Sequence, residues 1–303
     1  MMYRGGIALN VALAGLLTVG CGGGGAKAEK SINAQIEDAG KLSDPVQRAR
    51  RFLAIADKQM QAGDVAGARG TLNGAKDSAG AVEDPVSKAT TLVLVAAAYG
   101  RAGEKSQASK LCNQAATAVE QIAEPERKVE PLAALAAASG EHLQNELLAA
   151  EYLASAEKAA ESITDPVQKV KAQVRIAAAL EKLGKADESA NLVAGAQEAA
   201  RGLSDARQKA DSLTEVAAGL SRMNKVQEAE AAFDEAQQAA EAIEADDSRA
   251  YAMLGIGRKL VLLKRLPAAK QVLLKAQDFA LQVKDSSVRQ PLINEIDGEL
   301  KKI

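Results

Sequence analysis

Tryptophan is absent from this chain of 303 residues, aromatic residues make up 2% of it, and there is a single histidine. A surface so poor in rings offers no stacking platform for bases. An excess of charge of either sign is missing too, since 38 lysines and arginines face 40 aspartates and glutamates. Without a positive stripe nothing displaces the counterions of a phosphate backbone, so nucleic acid is not the expected partner. One histidine and two cysteines leave no zinc site of ordinary ligand spacing. No glycine-rich loop lies between a strand and a helix, because no stretch reads as a strand. Carboxylates are plentiful, but they fall on helix surfaces as solvated faces or i,i+4 partners. His142 sits in the irregular Gly140–Asn145 turn and reads as a solvated loop residue, and Asp246–Asp247 reads as a helix start. No catalytic group, metal or cofactor is expected.

What is present is alanine, mixed with Glu, Lys and Gln, the composition of closely packed helices. The stretch from Asp165 to Ser204 holds one complete unit. Asp165 is an N-cap residue and Pro166 stands at the first helical position, where its missing N–H costs nothing. Val170, Val174, Ala177 and Leu180 follow at helical spacing, and Gly184 ends the helix as a C′ glycine does. A second helix carries Ala190, Val193, Ala196, Ala200 and Leu203 on one face. Neither helix buries its stripe alone, so the hairpin needs neighbours.

The same punctuation returns about every 40 residues. The capping position holds Asp44, Asp84, Glu124, Asp165, Asp205, Ala245 and Asp285. Hairpins are predicted over 44–82, 84–122, 124–163, 165–203, 205–243 and 246–283. An orphan second-type helix precedes them at about 27–42, and a final first-type helix runs from about 286 to 302. The register slips by one residue once, in the Gly140–Ala149 turn. Pro131 and Pro291 fall where first helices are under way, and each is expected to kink its helix or delay its start. Ala56, Ala96, Ala136, Ala177, Ala217 and Gly257 share one register on the first helices and let neighbours approach closely.

Four residues after each cap the side chain is basic: Arg48, Lys88, Lys128, Lys169, Lys209, Arg249 and Arg289. Positive charge in a first turn opposes the helix dipole, so the ladder needs a reason. In one reading it binds an anionic partner. In the other it is structural, pairing Asp44 with Arg48, Asp84 with Lys88, Asp165 with Lys169 and Asp205 with Lys209, or reaching the free carbonyls that end the preceding second helix.

These residues resemble the tetratricopeptide repeat. The second unit gives Leu92-x2-Val95-Ala96-x2-Tyr99, then Ala108-x3-Cys112-x2-Ala115. The fifth gives Leu213-x2-Val216-Ala217-x2-Leu220, then Ala229-x3-Phe233-x2-Ala236. The period is longer than the 34 residues of that family, and proline opens the next unit instead of closing the last. The resemblance implies an all-α, right-handed α-solenoid of about seven helical hairpins over residues 27–303. A HEAT-like stack has a similar period and is the alternative. The resemblance also implies that first helices line a concave groove. Its floor would be Leu53, Val93, Ala133, Val174, Thr214 and Leu254, followed one turn on by Asp57, Ala97, Ala137, Ala178, Ala218 and Arg258, with Arg101, Lys182 and Arg222 near the edge. Equally, the alanines of this floor could serve only to pack helix on helix.

Residues 1–20 read as a secretory signal, with Arg4 before a short apolar stretch from Ile7 to Val19 that is too short for an ordinary transmembrane span. Thr18-Val19-Gly20-Cys21 resembles the bacterial lipobox, which would make Cys21 the lipidated N-terminus and residues 21–26 a Gly-rich tether. A plain signal peptide with Cys21 incidental is the alternative. Cys112 is then alone and takes a position held by Leu72, Val193, Phe233 and Leu273 elsewhere, so it reads as a small buried hydrophobe. Two functions fit: a lipid-anchored envelope scaffold, preferentially of the outer membrane, that holds a protein or peptide, or a carrier for a small apolar or lipid-like ligand.

Overall fold

In the computed structural model, residues 30–303 are described; the expected signal, Cys21 and the tether lie outside them. Among the described residues there are fourteen α-helices and no strand. After a short α1 (Ile32–Gly40) come six hairpins: α2 (Pro45–Gln61) with α3 (Val65–Gly80), α4 (Pro85–Arg101) with α5 (Lys105–Glu120), and α6 (Pro125–Glu141) with α7 (Glu146–Glu161). Then follow α8 (Pro166–Lys182) with α9 (Ala186–Arg201), α10 (Ala206–Arg222) with α11 (Val226–Glu241), and α12 (Asp246–Leu262) with α13 (Leu266–Gln282). The first-type helix α14 (Ser286–Leu300) ends the array. The protein is an all-α solenoid of helical hairpins.

Cap chemistry places the boundaries. Asp44, Asp84, Asp165, Asp205 and Asp285 each accept a backbone N–H from the first turn of the helix they open, as at Asp165 Oδ1 and Gln168 N, 2.7 Å apart. Every hairpin turn then needs one left-handed residue, supplied by Gly63, Gly103, Gln144, Gly184, Asn224 and Lys264. Lys185 N donates to Leu180 C=O across 2.9 Å, and the same closing bond recurs in the other hairpins. In the third hairpin the bond runs from Asn145 N to Ser139 C=O and encloses one residue more, which is the predicted slip of register.

Of the kink or delayed start expected at the two prolines, the delayed start does not occur, and part of the pairing expected of the ladder needs correction. The helices run through Pro131 and Pro291 without a delayed start. Each proline stands early in its helix and forfeits a single intrahelical bond, and α6 adapts by closing its first turn with Arg127 N to Glu124 C=O, where α4 uses Lys88 N to Asp84 C=O. The pairs Asp44–Arg48, Asp84–Lys88, Asp165–Lys169 and Asp205–Lys209 are not among the ion pairs of the described residues: the cap carboxylates accept first-turn N–H groups, and Asp84 also takes Arg127 of the next unit at 3.3 Å. Three of the basic residues follow the other structural reading: Arg48, Arg249 and Arg289 reach the carbonyls of Leu42, Ile243 and Val283 at 2.7–2.8 Å. Positive charge thus lies at the carbonyl end of the preceding segment, where the dipole favours it. At Ala245, where the cap acid is missing, Arg249 also approaches Asp246 at 3.4 Å.

Successive first helices touch one another along the array, whereas each second helix packs on its own partner and on the next first helix. Closer spacing on one row curves the array toward that row, so the first helices form the inner face. The seam of small residues makes this spacing possible: Ala56, Ala136, Ala177 and Ala217 are completely buried. Gly219 shows how tight it is, since a methyl group there would meet Val174 Cγ1 at 1.9 Å. On α14, Leu292, Ile296 and Glu299 are buried, and Glu299 accepts a bond from Arg258 at 3.0 Å.

Candidate functional site

On the inner face, across α6, α8 and α10, lies a groove of about 560 Å³ that is only partly enclosed. Its floor is Ala133, Ala134, Ala137, Ala178 and Ala179. Glu130, Arg175, Glu181, Lys182 and Arg222 stand around it. Helical spacing explains the arrangement: each first helix is flanked by two others and by its own second helix, leaving one narrow strip free. Arg175, Lys182 and Arg222 occupy that strip on two neighbouring helices.

The charges are unequally satisfied. Glu130 lies 3.6 Å from Arg175. Glu181 lies 3.4 Å from Lys225, yet its Oε2 is buried without a hydrogen bond. Deeper along the same face, Lys259 Nζ donates to Glu215 Oε1 at 2.7 Å. Burial raises the Glu215 carboxyl, but its bond to Lys259 and the charges of Lys259, Lys171 and Arg175 outweigh it and hold the pKa below the ordinary glutamate value. For Arg222, partial desolvation in the groove wall and the positive Arg175 nearby push the guanidinium below its ordinary range. Neither Arg222 nor Lys182 has an ion-pair partner among the described residues.

The expected groove residues divide sharply. Ala133, Ala137, Ala178, Lys182 and Arg222 line the groove. In the first expected row Val93, Val174, Thr214 and Leu254 are buried between helices and Leu53 is half-buried, so apart from Ala133 this row is packing and not floor. Arg101 bonds to Asp57 across 3.0 Å and Arg258 to Glu295 and Glu299, so both tie neighbouring units together. The accessible row lies one residue further on: Ala54, Leu94, Ala134, Arg175, Glu215 and Gly255 are exposed or half-buried. Charged side chains amid alanine runs, as at Arg175 and Glu215, are the signal that would have corrected the row. His142 lies in the turn as expected but is half-buried and not fully solvated. It caps α6 and packs on Gly100, where an added methyl would meet its Cβ at 2.4 Å. Burial pushes its imidazole below the ordinary pKa, with Glu141 opposing and Arg101 and Lys182 assisting. Cys112 is buried as expected, and burial alone pushes its thiol up to about 11.

Among the described residues no group of three histidine, cysteine, aspartate or glutamate side chains is placed to hold a metal ion. No helix among them is long and apolar enough to cross a membrane. No family model matches the chain, and no curated protein matches it. Solved structures of similar outline include Ton1535 from Thermococcus onnurineus NA1, at 17% identity over 88% of this chain and 97% of that one, with a TM-score of 0.44. BtubC (BKLC) from P. vanneervenii matches at 18% identity over 71% of this chain and 92% of that one, with a TM-score of 0.37. The apo form of RapI matches at 13% over 89% and 79%, TM-score 0.36. Likenesses this distant transfer no activity and no binding residue.

Proposed function

We propose that this protein is a lipid-anchored protein of a bacterial envelope that holds a partner segment in the groove of α6, α8 and α10. The observation that carries the reading is the pair Lys182 and Arg222, cations without an ion-pair partner among the described residues, beside a floor of small apolar side chains. A guanidinium partly stripped of water next to Arg175 is unfavourable in the free protein and becomes favourable once a carboxylate reaches it. The fitting occupant is therefore an extended peptide or helix face with small apolar residues and at least one acidic side chain. The anchor rests on the lipobox-like Thr18-Val19-Gly20-Cys21 and places the solenoid at the membrane surface.

The test is cross-linking in the native envelope followed by capture, comparing the wild type with Lys182→Glu/Arg222→Glu and with Cys21→Ser. The reading expects a defined protein whose yield falls at least about tenfold on charge reversal, and a shift out of the membrane fraction when Cys21 is replaced. Partners insensitive to charge reversal would remove the groove from the proposal. Unchanged fractionation of Cys21→Ser would remove the anchor.

A further inference from the structure

The basic ladder behaves differently in the outer units and in the inner ones. Arg48 bonds to Ser78 Oγ at 3.1 Å as well as to a carbonyl, and Arg249 lies over the Phe279 ring at 5.0 Å. Ser78 and Phe279 occupy the same position, the fourteenth, of their second helices α3 and α13. In the four units between, the arginine becomes Lys88, Lys128, Lys169 and Lys209, and the fourteenth position becomes Ala118, Ala159, Ala199 and Ala239. The two changes go together. A lysine has no planar fork to span carbonyl and partner, and alanine leaves the volume beneath it unfilled.

Open pockets lie at two of these four places. Between α5, α6 and α7 one reaches about 430 Å³, within the range of small-molecule sites. Leu132, Ala159 and the Tyr152 ring give it an apolar wall, while Lys128 and Lys158 stand at its mouth with Glu120. Neither lysine has an ion-pair partner among the described residues. One unit earlier, Lys88 and Ala118 line a second cavity of about 360 Å³. Both lie on the second-helix side, away from the groove of α6, α8 and α10.

We propose that the cavity at Lys128 and Ala159 binds a small amphipathic carboxylate, its head group on Lys128 and Lys158 and its apolar tail against Leu132, Ala159 and Tyr152. Two cations against one acid favour an anion, and the apolar wall favours an alkyl chain over a compact ion. This site does not depend on the groove reading.

Calorimetric titration of the full chain with decanoate, and with decanol as the uncharged control, tests it. Decanoate is expected to bind saturably and at least about tenfold more tightly than decanol, and Lys158→Met to remove most of that difference. The double variant Lys128→Arg/Ala159→Phe installs the arginine and ring that the sixth unit already carries, so it is expected to fold with an unchanged circular dichroism spectrum and to lose the site. Absence of saturable binding, equal binding of decanol, or full binding by the folded double variant would each overturn the proposal.

Discussion

At the scale of single residues, backbone conformation and charge both leave measurable traces. Lys264 holds the left-handed position that Gly63, Gly103 and Gly184 hold elsewhere, at φ 58. The left-handed penalty of roughly 1–2 kcal/mol exceeds the extra unfolded-state entropy of glycine, roughly 0.5–1 kcal/mol. Lys264→Gly is therefore expected to stabilise the protein by about 0.5 kcal/mol or more in urea denaturation. Glu215 gives a pH signature. Its folded pKa is depressed, so its contribution to stability is complete above the unfolded glutamate value and is lost as pH falls through the folded one. Glu215→Gln should then destabilise at pH 7 and match the wild type at the acid end of the series, and a constant gap at every pH would contradict the sign. Cys112, with its thiol pushed up to about 11, should resist thiol reagents at pH 8 in Cys21→Ser until the chain unfolds. The cap acids, the C′ glycines and the burial of Cys112 were legible because each is a local rule. The partners of the ladder were not, because Asp44 and Asp165 chose between a neighbouring cation and the first-turn N–H groups, and the latter lie within fixed covalent reach.

Among the elements, the first helices carry the tightest constraint. Ala177 is completely buried on α8, and replacing it with leucine should overpack the seam at a cost of typically about 1–3 kcal/mol. An unchanged melting temperature for Ala177→Leu would show that the seam yields. The hairpins were legible in the sequence almost to the residue, because caps and turns repeat in phase, whereas the first helix, expected over about 27–42, is Ile32–Gly40 with Ser31 as its cap. The groove row was less so: Val174 and Thr214 were expected on the floor and lie between helices, while Arg175 and Glu215 beside them face outward. A period of 3.6 separates faces by about 100° per residue, so an error of one position in a helix buried on three sides exchanges wall for core.

Across the whole molecule, burial is local. The apolar core divides within α8: Ala172, Ile176 and Ala179 belong with the helices before it, and Val170, Val174 and Ala177 with those after it. An array joined only through neighbours unfolds as coupled units and not as one block. The calorimetric enthalpy of unfolding is therefore expected to exceed the van't Hoff value, with Leu92→Ala and Leu273→Ala lowering different parts of the transition; coincident shifts of a single sharp transition would argue against the division. Ion pairs between units, such as Arg101–Asp57 and Arg201–Glu235, are exposed enough to contribute little each and to set register more than stability. The repeat of caps and turns about every 40 residues has one more consequence. A stretch of that length can be gained or lost at its capping aspartates with both cut ends still finding a complementary face, so the reach of this molecule is a quantity that gene duplication adjusts in whole steps.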